Sequence, residues 1–62
     1  MGILELKTRS KETVWVNNDA IKYFRKDTED SELTHIVFKD DSWLYVVDTP
    51  EEIIEKINSI YW

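Results

Sequence analysis

Cysteine is missing from this chain, and glycine, proline and histidine occur once each. Each shortage removes a class of answer. Without Cys there is no disulfide, and a single His cannot complete a structural zinc site of the usual ligand set. With Gly2 as the sole glycine, the glycine-rich loops that cradle phosphates are excluded. No run is apolar enough for a signal peptide or a membrane span, so no membrane contact is expected. Lack of Cys fits a reducing compartment, and a cytoplasmic location is the expectation. Positive charge is scarce too: eight Lys and Arg face thirteen Asp and Glu, a formal net charge of −5. That balance argues against a broad basic face for nucleic acid. It allows a protein partner with a basic surface, reached by electrostatic steering.

What remains is a chain of 62 residues, enough for one domain spanning 1–62. A chain this short buries only about 60% of the surface its unfolded form exposes. Without disulfide or metal, stability must come from self-association or from dense aromatic packing. The aromatics are there: Trp15, Tyr23, Phe24, Phe38, Trp43, Tyr45, Tyr61 and Trp62.

Periodicity divides the chain at Asp48-Thr49-Pro50-Glu51-Glu52. Thr49 has an N-cap oxygen, Pro50 needs no N–H at the first helical position, and Glu52 stands where a capping box closes. The spacing of Ile53, Ile54, Ile57 and Ile60, with Tyr61, predicts an amphipathic helix over about 50–61. Upstream the pattern alternates, predicting strands at about 3–8, 13–17, 21–25, 33–38 and 43–47. In the second strand Val14 and Val16 face the core and Trp15 faces away. Asn17-Asn18-Asp19 interrupts, and a single helical turn can start there. Asp27 to Glu32 contains no apolar residue and is expected to be a mobile acidic loop. The last two strands carry large apolar groups on both faces, a pattern usual for strands covered on both sides. The predicted class is α+β: an antiparallel sheet of four to five strands with one C-terminal helix packed on one face.

Chemistry is sparse. His35 lies between apolar neighbours on one strand face, which favours a half-buried structural role over catalysis. Asp40-Asp41 sits in a turn, where adjacent carboxylates diverge and do not share a proton. No catalytic, cofactor-binding or metal-binding residue is assigned, and no cofactor is expected. The acids gather at Asp27-Glu29-Asp30-Glu32, at Asp40-Asp41 and at the helix start. They serve either as a solvated surface or as a spaced row that imitates a nucleic-acid backbone. Trp15, Trp43 and Trp62 are candidates for an exposed aromatic interface.

Several runs resemble the small FlbD-type flagellar and swarming-motility proteins and their phage-borne relatives. Val14-Trp15-Val16-Asn17-Asn18-Asp19-Ala20-Ile21 is similar to their V-x-V-N-x-D-x-I run. Leu6-Lys7-Thr8-Arg9 is similar to their opening strand, and Leu44 to Ile54 to their last strand, cap and helix. Three departures stand out: Ser10-Lys11 and Asp40-Asp41 occupy hairpin turns where the family usually has Gly or Asn-Gly, and the acidic loop Asp27 to Glu32 is longer than usual. The resemblance implies this fold and no catalytic residues.

The expected function is a small non-enzymatic protein-interaction module that binds a protein partner and self-associates. The alternative is an acidic, phage-type inhibitor of a host DNA-processing or defence enzyme. In that case Asp27, Glu29, Asp30, Glu32, Asp40 and Asp41 would meet a basic cleft.

Overall fold

A computed structural model describes residues 2–60. Five strands precede one helix: β1 Ile3–Lys7, β2 Thr13–Asn17, β3 Ile21–Lys26, β4 Thr34–Phe38, β5 Trp43–Val46 and α1 Pro50–Ile60. A 3₁₀ turn, Asn18–Ala20, links β2 to β3, capped by the Asn17 side chain accepting from the Asp19 N–H. Strand limits follow the predicted ones to within a residue, and the α+β class with antiparallel pairing holds. Tyr61, expected on the helix stripe, and Trp62 lie outside the described residues.

The single sheet of four to five strands is not what forms. The strands make two antiparallel sheets, a pair β1-β2 and a triplet β3-β4-β5. The cause lies where β5 leaves its sheet. Thr8 bridges Val46, and the Val47 N–H donates to the Lys7 carbonyl at 2.9 Å. The next ladder position is then taken by a side chain: Asp48 Oδ1 accepts the Lys7 N–H at 2.8 Å. Thr49-Pro50 starts the helix immediately after, so the β1–β5 ladder stops after one bridge.

The helix start is the predicted capping box. The Glu52 N–H donates to Thr49 Oγ1 at 3.1 Å and the Thr49 N–H to Glu52 Oε1 at 2.9 Å. Two orphan donors of the first turn are thereby satisfied. The helix docks on β1 and β3. It buries Ile53 fully, with Ile57 and Ile60 partly buried, against Leu4, Leu6, Val16, Ile36 and Val46. Each such side chain contributes at most about 1.5–3 kcal/mol relative to exposure. Ile54 belongs to the predicted stripe but is exposed, because a helix resting on two strands buries a narrower face than the spacing implies.

Asp48 ties the layers together. Its Oδ2 pairs with Lys56 Nζ at 2.9 Å, and that ammonium also donates to the Glu5 carbonyl at 2.6 Å. Its own carbonyl accepts from Thr34 Oγ1 at 2.6 Å, which satisfies the one buried polar residue among the described residues. Burial alone would raise the Asp48 pKa. The Lys7 N–H and the Lys56 ammonium outweigh it and hold the carboxyl below its usual range.

Candidate functional site

With the helix on the inner side, the outer faces of both sheets carry exposed aromatics. Alternation along β3, β4 and β5 aligns side chains across the triplet in two rows. Tyr23, Val37 and Trp43 form one row, and Arg25, His35 and Tyr45 the next. Trp43 is 64% exposed, Tyr23 47% and Tyr45 38%, while Val37 between the flanking aromatics is buried. The two apolar faces of β4 and β5 therefore differ. One meets the core, and the other carries aromatics into solvent instead of being covered twice.

His35 is half-buried, as expected. Its ring stacks on Tyr45, with centroids 4.8 Å apart and planes 13° from parallel. Its Nε2 is buried, with no hydrogen-bond partner among the described residues. A polar atom in that state costs about 1–3 kcal/mol unless something else satisfies it.

Trp15 lies on the other sheet. It stands on the outer face of β2, 67% exposed, opposite Glu5 of β1. Beside it runs an open groove of about 550 Å³, lined by Asn17, Ala20, Phe38, Lys39 and Asp40 among others. Trp15 and Trp43 therefore mark two surfaces and not one. Trp62 lies outside the described residues.

The acids likewise divide. The loop before β4 closes on itself: Asp27 Oδ2 accepts the Asp30 N–H, Asp30 Oδ1 accepts the Glu32 N–H, and the Leu33 N–H donates to the Asp30 carbonyl. These bonds give a loop expected to be mobile a defined shape. Asp27, Glu29 and Asp30 line an open groove of about 390 Å³ with Arg9, Leu33 and Tyr45. Glu32 is exposed outside it. Asp40 and Asp41 follow β4, at its opposite end, so they do not extend that cluster. Asp40 Oδ1 accepts from the Ser42 hydroxyl at 2.6 Å and the Ser42 N–H at 3.0 Å, and these bonds lower its pKa. Asp41 adopts a left-handed φ of 71° and pairs with Lys22 at 3.2 Å, both side chains exposed. Turn chemistry accounts for both residues.

Among the described residues, no group of three or more His, Cys, Asp or Glu could hold a metal, and no helix is long and apolar enough to cross a membrane. Sequence reasoning left Tyr23, Tyr45 and Arg9 out of the site. Tyr45 shares a strand face with Trp43 by simple alternation, so that signal was available. Arg9 reaches the acidic groove only through the fold. No family model, curated protein or solved structure matches the chain.

Proposed function

We propose that this chain is a non-enzymatic protein-interaction module that self-associates and offers an aromatic sheet face to a protein partner. One observation carries the reading: Tyr23, Trp43 and Tyr45 stand exposed on one face, aligned by strand register. Aromatic side chains are the commonest anchors of protein interfaces, because each buries a large area at small entropic cost. A domain of this size, with no disulfide or metal, also gains stability from association with a second copy. The resemblance to FlbD-type proteins points the same way, since it implies no catalytic residues.

Light scattering on the full chain, from low to high micromolar concentration, tests self-association. The module predicts a mass that rises with concentration; a constant monomer removes the self-associating form of the proposal.

A second reading, inhibition of a DNA-processing or defence enzyme, draws on the three carboxylates gathered in the groove beside Tyr45. It requires that reversing Glu29 and Asp30 to Lys weakens binding to such an enzyme, and that salt does the same. Salt-independent binding would discard it.

A further inference from the structure

The outermost strands of the two sheets are β2 and β3, and they are guarded very differently. Natural sheets protect exposed edges with charged residues, bulges or proline. β3 carries Lys22, Arg25 and Lys26, and its register shifts between Ile21 and Tyr23. β2, Thr13-Val14-Trp15-Val16-Asn17, has no charge, no proline, no glycine and an unbroken register.

The hydrogen bonds fix which groups this edge presents. The Asn18 N–H donates to the Gly2 carbonyl and the Thr8 N–H to the Glu12 carbonyl. Both pairs continue the β1–β2 register, and hydrogen-bonded pairs recur every second residue. Val14 and Val16 therefore bond inward to β1. Both backbone groups of Thr13 and Trp15, and the N–H of Asn17, point outward along the free edge.

We propose that β2 pairs edge to edge with β2 of a second copy, antiparallel, about a two-fold axis through Trp15. This rests on the self-association proposed above and names the surface that performs it. Trp15 is the central residue of the strand, so a two-fold axis places it opposite itself and Thr13 opposite Asn17 of the other copy. The outward donors and acceptors then meet in register, as an isologous interface requires. The indoles of the two Trp15 residues then lie side by side and cover each other. The face carrying Tyr23, Trp43 and Tyr45 stays free for a different protein.

A chain without Cys makes the geometry directly testable. Residues opposite each other in a hydrogen-bonded antiparallel pair have Cα atoms about 5.5 Å apart, within the range a disulfide spans. A mixture of Thr13→Cys and Asn17→Cys chains, both retaining Trp15, should form the mixed disulfide on mild oxidation. Thr13→Cys alone should not cross-link, because its two copies would stand roughly 14 Å apart along the strand. Trp15→Lys should weaken self-association roughly 30-fold or more, as loss of a central aromatic anchor does, while Trp43→Lys should leave it unchanged. If the wild-type chain associates but the mixture gives no preferred mixed disulfide, or Trp43→Lys is the variant that dissociates it, the β2 edge is overturned and self-association survives. A wild-type chain that stays monomeric overturns both.

Discussion

Asp48→Ala should remove a large share of this protein's stability. The carboxylate is only 11% exposed and makes two contacts that Ala cannot replace. Oδ1 accepts the Lys7 N–H at 2.8 Å, and Oδ2 holds the Lys56 ammonium at 2.9 Å. A hydrogen bond to a charged group contributes about 1.5–3 kcal/mol. Lys56 keeps its bond to the Glu5 carbonyl, and water can reach the Lys7 N–H, so the two losses do not add fully. The expected cost is about 2–4 kcal/mol, against roughly 3–9 kcal/mol of total stability for a chain of this length. Urea unfolding followed by tryptophan fluorescence measures it as a fall in the midpoint at unchanged slope. The pH dependence gives a second readout. A carboxyl whose folded pKa is depressed stabilises fully above its unfolded value of about 3.9, and that contribution is lost as pH falls through the folded value. Asp48→Asn should therefore flatten the acid limb of the stability profile below about pH 4 and lower the plateau above it. A change under about 0.5 kcal/mol at neutral pH would refute the view that this residue clasps β1 to the helix.

Three further substitutions probe a turn, a close packing contact and a buried polar atom. Lys11 holds a left-handed φ of 69° and donates its N–H to the Thr8 carbonyl, which glycine can do without strain. Lys11→Gly should raise stability by about 0.5–1 kcal/mol, a rise of a few degrees in the calorimetric midpoint, whereas Lys11→Ala should give no gain. A Cβ at Gly2 would run into the Cγ2 of Ile60, so Gly2→Ala should destabilise by about 1–3 kcal/mol in chemical denaturation. His35→Phe keeps the stack on Tyr45 and removes the orphaned Nε2. It should stabilise the isolated chain by about 1 kcal/mol, and a loss instead would mean that the nitrogen is satisfied in solution.

Local signals in the sequence were accurate because the physics behind them is local. Thr49, Pro50 and Glu52 act within one helical turn, and the capping box forms as their spacing implies. The 3₁₀ turn after Asn17 and the outward position of Trp15 follow equally from nearby backbone and from alternation. What escaped is what depends on distant partners. Asp48 looks like a carboxylate at the positive end of a helix, but its bonds reach Lys7 and Lys56 across the fold. Those bonds, with the start of the helix, end the β1–β5 ladder and divide one expected sheet into two. Apolar groups on both faces of β4 and β5 could not say which face the helix would cover. Among the described residues, Lys11 and Asp41 are the left-handed non-glycine residues, and each sits in a hairpin turn that has no glycine.

Sedimentation velocity of the unmodified chain across a dilution series decides whether two copies associate. Self-association requires a weight-average mass that climbs from the 7.5 kDa of one chain towards twice that value as concentration rises. A mass that stays at one chain up to high micromolar concentration would contradict it.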